Sequence, residues 1–261
     1  MFKKWFSRLP AQQQTGAGSF SEKLPHKILV GSHHKTGTVW MRNVFSCVCE
    51  RLRLHFFAGE QEKLPRKFDV FMQNHSRFLP EKFSDSIRGV HIIRDPRDRI
   101  VSGMYYHQKS KESWLHKPMK VLGGATYQEK INSFGTMEEQ LMFEMEHSGR
   151  WGIKEMLSWD YSDGRFMNVK YEELIIDHDL RMFHEIFTFL GFPGSVIPTC
   201  LDCAYKNSLF SGNIEKSVHV RSGKSSQWKN HFNSDHKQRF VELFGGALVK
   251  LGYEENDLWA E

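Results

Sequence analysis

Cysteine is scarce: Cys47, Cys49, Cys200 and Cys203 are the only four in 261 residues. Disulfide-scaffolded proteins pack more cysteines into much shorter chains, so that class is excluded. The four read as buried free thiols of a reducing compartment. Two close pairs would also supply a four-thiolate zinc site, but no His/Cys ladder accompanies them. No apolar run reaches the roughly 18 residues that a membrane span requires. Pro10 is followed by Ala-Gln-Gln-Gln, where a secretory leader would carry its apolar stretch. A cytoplasmic protein without a transmembrane segment is expected. A large excess of charge of one sign is missing too. Lys and Arg number 36 against 31 Asp and Glu, for a net charge of +5. A nucleic-acid partner is not expected from so even a balance, whereas small anionic ligands are favoured.

What is present is ordinary globular composition, 39% hydrophobic and 26% charged, in a chain long enough for one sizeable core. Residues 1–23 read as a flexible leader rich in Gln, Gly and Ser, and residues 24–261 as the folded domain. Within the leader, Phe2, Trp5, Phe6 and Leu9 share a helical face with Lys3, Lys4 and Arg8 mostly off it. That pattern would allow weak peripheral contact of residues 2–9 with an anionic membrane surface, but a frayed tail is the favoured reading.

Beyond the leader, short apolar runs alternate with helical patterns, the mark of an α/β domain with a central, mostly parallel sheet flanked by helices. Strands are expected at Lys27–Val30, Val70–Gln73, Val90–Ile93 and Phe166–Val169. Helices are expected at Val39–Leu54, after Asp95, and at Thr136–Glu146, Asp179–Leu190 and Ser234–Leu251, with Phe134-Gly135, Gly149 and Gly191-Phe-Pro-Gly194 as breaks between them. Residues 109–133 show no clear period and read as a lid or substrate loop.

The chemically richest stretch is Gly31-Ser-His-His-Lys35-Thr36-Gly37-Thr38, between the first strand and the first helix. Such a turn aims backbone N–H groups and the positive end of a helix at an anion, Gly37 permits close approach, and Lys35 adds a cation. It is not a Walker A loop, because the Lys precedes Gly37 instead of following it. A second segment, Val90-His-Ile-Ile-Arg94-Asp-Pro-Arg-Asp-Arg-Ile-Val-Ser102, is a strand that ends in Arg94 and passes into a helix. Arg94 can fork onto a phosphate or pair with Asp95 or Asp98.

Taken together, Lys35-Thr-Gly-Thr-Val-Trp40, Arg94 to Ser102, Tyr171-Glu-Glu-Leu174 and Arg221-Ser-Gly-Lys-Ser-Ser-Gln-Trp-Lys229 resemble the sulfotransferase family, in the family's order and over residues 26–251. The resemblance implies a P-loop-NTPase-like sulfotransferase fold, 3′-phosphoadenosine 5′-phosphosulfate (PAPS) as cosubstrate, and adenosine 3′,5′-bisphosphate (PAP) as product. By the same resemblance, Lys35, Thr36, Gly37, Thr38 and Val39 line the 5′-phosphosulfate loop and Trp40 stacks on adenine. Arg94 and Ser102 hold the 3′-phosphate, Tyr171 belongs to the cosubstrate site, and Tyr205 matches a second adenine-stacking aromatic. Arg221, Ser222 and Gly223 match a 3′-phosphate turn in which the family commonly has Lys at the position of Ser222. Trp228 and Phe232 read as packing anchors.

His75, just after a predicted strand, stands where the family places its catalytic base, with Gln73 where a Lys is frequent. Its rivals are His33, His34, His107 and His231, of which His33 and His34 sit in the loop itself. The resemblance therefore makes His75, Lys35 and Ser102 the catalytic candidates. No metal is expected, since protein cations and amides neutralise the donor. The acceptor is a small molecule, a sugar or a lipid headgroup, met by Tyr105, Tyr106, Trp114, His116, Tyr127 and Phe134; O- or N-sulfation and oligomeric state stay open. The alternatives are a nucleotide-binding small-molecule kinase and a catalytically weak PAPS-binding module.

Overall fold

The computed structural model describes residues 24–83, 86–212 and 223–261; the leader with its residues 2–9, and Arg221 and Ser222, lie outside them. Ile28, Leu29 and Val30 are consecutive and all sealed from solvent. A strand with no polar alternation must be covered on both faces, as in a parallel sheet. That strand, β1 (Lys27–Gly31), is the centre of five: β2 (Phe56–Ala58), β3 (Val70–Gln73), β4 (Ile87–Ile93) and β5 (Phe166–Lys170). Their order is β2-β3-β1-β4-β5, with every pairing parallel. The register sets Gly31 beside Gln73 on one side and His91 on the other.

The helices are α1 (Thr38–Leu52), α2 (Pro96–His107), α3 (Tyr127–Asn132), α4 (Met137–Glu144), α5 (Arg150–Leu157), α6 (Tyr171–Leu174), α7 (Arg181–Phe189), α8 (Ile197–Lys206), α9 (Ser234–Phe244) and α10 (Ala247–Lys250). Side chains alternate across the strands. Ile28, Val30, Val70, Met72, Val90 and Ile92 meet α1, α7 and α8 through Val44, Phe45, Phe183, Phe187 and Cys200. Leu29, Phe71 and Phe166 face the opposite layer with Phe68, Phe78 and Ile87. A separate cluster joins α2 through α5 to α9 and α10, and Trp228 and Phe232 are buried anchors in it, as expected.

The expected strands are all present, the third beginning earlier, at Ile87. Strand β2 and helix α8 were not anticipated. Residues 109–133, expected as a loop, hold two 3-10 turns and α3, whose start is closed by a Thr126/Glu129 capping box. Gly149, read as a break, instead ends a π turn (Met145–Gly149) that carries the chain from α4 directly into α5. The last predicted helix divides at Gly245 and Gly246 into α9 and α10.

The cysteine reading needs correction. Cys47 on α1 and Cys203 on α8 form a disulfide across 156 residues of sequence, with their Cα atoms 5.7 Å apart. The two helices pack side by side, a tertiary fact that pairwise spacing cannot show. Cys49 and Cys200 are buried free thiols, and burial pushes each up to about 12. The thiol argument for a reducing compartment therefore falls. Among the described residues no helix is long and apolar enough to cross a membrane.

Gly89 marks the tightest approach between β4 and β5, since a Cβ there would lie 2.2 Å from the Phe166 ring. Gly89→Ala is expected to destabilise the fold by about 1–3 kcal/mol through overpacking, read as a lowered Tm. An unchanged Tm would show that Phe166 swings aside freely.

Candidate active site

At their C-terminal ends β1 and β4 lie side by side while the chain leaves them for opposite halves of the sheet, toward β2 and β3 or toward β5. Open α/β sheets bind ligands at such a point. A cavity of about 1600 Å³ opens there, lined by Lys35, Gly37, Thr38, Val39, Trp40, His75, Arg94, Ser102 and Tyr171 among others. Nine residues from four separate stretches of sequence thus converge.

The loop after β1 is locked by its own side chains. The Thr36 hydroxyl donates to the His33 carbonyl and accepts from the His33 N–H, both at 2.8 Å. Thr38 donates to the same carbonyl at 2.9 Å. Lys35 and Gly37 take left-handed conformations, with φ of 68° and 97°. Gly37 is also pressed against Tyr171, whose ring would stand 3.0 Å from a Cβ. Thr36 is fully buried and its N–H is already bonded to His33, so its part is to close the loop. The first-turn residues Thr38, Val39 and Trp40, whose N–H groups have no partner inside the helix, line the cavity.

Lys35 sets its ammonium 3.7 Å over the Tyr106 ring. Burial, with the nearby Arg94 charge, lowers its pKa to about 7. Arg94 donates from Nη1 to the Lys35 carbonyl at 3.1 Å and stands 4.6 Å over the Tyr171 ring. It does not pair with Asp95, which is held by Arg97, and Asp98 is 4.0 Å away. Its Nε is buried without a partner, as is Trp40 Nε1. A guanidinium this buried, with donors left over and, among the described residues, no carboxylate closer than 4.0 Å, is built to receive an anion. These loop amides, Arg94 and Lys35 fit the phosphates of an adenine nucleotide, and Trp40 and Tyr171, edge to face at 6.1 Å, offer it aromatic surface.

His75 is half-exposed at the cavity rim, its Nδ1 3.0 Å from Glu155 Oε2. A carboxylate only accepts, so Nδ1–H donates and Nε2 is the nitrogen left for chemistry. Burial works against the Glu155 charge, but hydrogen bonds from His75 and Arg77, with the His33 ring 3.7 Å away, outweigh it and hold the carboxyl well below its usual range. Glu155 escaped the sequence reading because α5 did. Ile153 and Met156, at helical spacing just beyond Gly149, were the signal for it.

The other predicted residues scatter. Tyr205 is exposed and does not line the cavity, although Lys206, Asn207 and Leu209 do. Gly223 takes a φ of 63° against Leu209. Of the acceptor candidates, Tyr106, Trp114 and Tyr127 line the cavity. Tyr105 bonds His231, His116 bonds the Ser110 carbonyl, and Phe134 packs on Phe143. Among the rival histidines, His33 is sealed and bonded to His91 at 2.8 Å, and burial lowers its pKa. No cluster of three or more metal-ligating side chains occurs among the described residues.

Comparison with known proteins agrees with this geometry. A family model described as the sulfotransferase domain matches residues 25–252. Human sulfotransferase 2A1 is 25% identical over 252 residues, covering 87% of this chain and 80% of that protein. Human sulfotransferase 1C2 is 22% identical, covering 87% and 84%. Among solved structures, mouse sulfotransferase SULT7A1 complexed with PAP superposes with a TM-score of 0.59 at 18% identity, over 90% of each chain. Retinol dehydratase in complex with androsterone and inactive cofactor PAP gives 0.53 at 14% identity, over 91% and 83%. With a family model spanning nearly all of the folded domain, and residues of the first three quoted motifs lining the cavity at the switch point of the sheet, the chain belongs to the sulfotransferase family, the transferases that depend on PAPS.

Proposed function

We propose that this sulfotransferase moves a sulfuryl group from PAPS to a hydroxyl or amine of a small-molecule, sugar or lipid acceptor by in-line displacement, with His75 as base. The observation that carries the reading is Arg94, a buried guanidinium with donors to spare, set beside the left-handed loop in the cavity that His75 and Glu155 also reach. When bound, the donor supplies a sulfur centre whose bond to the 5′-phosphate breaks as the bond to the acceptor forms.

The chain's own residues then divide the work. The loop at Lys35, Gly37, Thr38 and Val39 holds the 5′ end through backbone amides and the N-terminus of α1. Arg94 and Ser102, on the first turns beyond β4, hold the 3′-phosphate, assisted by Arg221, Ser222 and Gly223. Trp40 and Tyr171 receive the adenine. Lys35 stabilises the charge that develops on the departing oxygen. His75 Nε2 takes the acceptor's proton while Glu155 fixes the ring and balances its positive charge, a task for an imidazole whose second nitrogen is already tied.

In calorimetry, PAP is expected to bind without magnesium and more tightly than ADP, with the preference lost in Arg94→Ala; a preference for ATP with magnesium would reopen the kinase alternative. His75→Ala should lower turnover of PAPS with a phenol, steroid and sugar panel by roughly 10²–10⁴ while PAP affinity holds. PAP binding with no product across the panel would instead favour the catalytically weak module.

Binding should also depend on pH. Lys35 attracts an anion only when protonated, and its pKa of about 7 makes that form fade as pH rises through neutrality. PAP affinity should accordingly fall by about tenfold between pH 6 and pH 9, and the slope should flatten in Lys35→Ala. A pH-independent affinity in the wild type would place the ammonium outside the binding site.

A further inference from the structure

The cavity is reached by a second histidine held from behind. His34, immediately before Lys35, lies on its wall. Its Nε2 is 3.0 Å from Nε2 of His107, and the two rings are parallel to within 6°. His107 is fully buried, and its Nδ1 is 2.8 Å from Glu144 Oε2. Tyr127 donates its hydroxyl to the same oxygen at 2.8 Å. Glu144 is itself fully buried, and its Oε1 has no partner.

The fold makes room for this chain at some expense to packing. A Cβ on Gly103 would lie 2.4 Å from Glu144 Oε1, and one on Gly152 would lie 1.8 Å from the Arg99 guanidinium. Arg99 is buried in the same interior, donating to the Ser148 and Gly149 carbonyls, and its charge is felt by Glu144. A buried carboxylate, two imidazoles and a guanidinium threaded through an apolar layer are costly unless each is satisfied. Of them His34 alone belongs to the anion loop, and none belongs to the His75–Glu155 pair.

The carboxylate sets the donor order along the chain: Glu144 accepts from His107 Nδ1–H, and a His107 ring that carries its one proton there accepts at Nε2 from His34 Nε2–H. His34 is left with Nδ1 unprotonated. That atom makes no hydrogen bond among the described residues, and His34 lines the cavity. Burial, together with the neighbouring His107, holds the His34 pKa well below its ordinary value, so the ring stays neutral and the lone pair persists at neutral pH.

We propose that His34 is a second acceptor-contacting residue, accepting a hydrogen bond at Nδ1 from a donor group of the acceptor other than the one sulfated, and that His107 and Glu144 are the positioning residues that fix its tautomer. The inference rests on the transfer reading above and narrows its acceptor to one that carries a second hydroxyl or amine close to the nucleophile. His75 removes the proton, and His34 orients and selects. A site built to accept from a second donor discriminates against an analogue that lacks it, because its own buried group is then left unpaired.

The test uses the full chain saturated with PAP, 4-nitrocatechol as the two-donor probe and 4-nitrophenol as its single-donor counterpart. Nitrogen-15 resonances of the histidine rings are expected to show His34 protonated at Nε2 and bare at Nδ1, with the Nδ1 signal moving when 4-nitrocatechol is added. In His107→Phe the fixed tautomer should be lost. In kinetics with PAPS, His107→Phe and the milder Glu144→Gln should raise the KM for 4-nitrocatechol by about tenfold, with kcat changed less than threefold and 4-nitrophenol little affected. PAP affinity equal to wild type certifies that each variant is folded. A His34 ring protonated at Nδ1, an Nδ1 signal unmoved by the probe, or losses equal for both phenols would overturn the proposal. Failure of PAP to bind would count against the transfer reading instead, leaving the tautomer measurement to decide the role of His107.

Discussion

The turn between β1 and α1 is the constraint on which the site depends. Lys35 is a side-chain-bearing residue in the left-handed region, a conformation that costs on the order of 1 kcal/mol, followed two residues later by Gly37 in the same region. Three hydroxyl contacts to His33 keep the turn closed. Its consequences extend beyond the loop. The Lys35 carbonyl is turned so that Arg94 can donate to it, which couples the loop to the end of β4. The parallel register, Gly31 beside His91, brings that strand end to the loop. The left-handed Gly37 also sets the entry of α1, and hence the place of Trp40 against Tyr171. A relaxed, right-handed Lys35 would separate the phosphate loop from its guanidinium.

Charge disposition along the start of α2 shows why one arginine there is set apart. Arg94, Asp95, Arg97, Asp98 and Arg99 are all buried, so each must be answered locally or remain costly. Asp95 caps α2 by accepting from the Arg97 N–H and binds the Arg97 side chain, which also reaches Glu254 and lies 3.8 Å over Trp228. Asp98 accepts from the Trp228 N–H at 2.9 Å. Arg99 spends its donors on the carbonyls of the π turn. These contacts fasten the C-terminal layer to the sheet. Arg94 and Arg99 each keep a buried Nε without a partner among the described residues and a place on the cavity wall, but of this run it is Arg94 that is tied to the anion loop, through the Lys35 carbonyl, with Asp98 4.0 Å away.

The parallel sheet and the phosphate end of the site were legible because they rest on local chemistry. An unbroken apolar run gives a doubly covered strand, a Gly/Thr-rich turn gives an anion loop, and Asp95-Pro96 starts a helix by side-chain capping and fixed φ. The acceptor end was not legible to the same degree. Its aromatic residues were found, but three of the six turn elsewhere, because Tyr105, His116 and Phe134 have partners that only the packed structure supplies. The Cys47–Cys203 bond and the His34–His107 contact likewise join residues far apart in sequence. Glu155 was hidden for a different reason: Gly149 was taken for a terminator, whereas inside a widened turn it is only a residue whose missing Cβ admits the Glu144 carbonyl and Ile100.

That widened turn also explains how one helical rod holds two different histidine systems. Glu144 and Glu155 are eleven positions apart, and in a regular α-helix, at 3.6 residues per turn, positions so spaced share a face. A π turn takes in an extra residue and rotates the helix beyond it relative to the helix before it. With Met145–Gly149 in that form, the face that α4 turns inward with Glu144 is not the face that α5 turns to the cavity rim with Glu155. The buried carboxylate binds His107 and Tyr127, and the rim carboxylate binds His75 and Arg77. Were the rod a continuous α-helix from Met137 to Leu157, placing Glu155 at the rim would turn Glu144 toward the same side, and His107 would lose the partner that orients it.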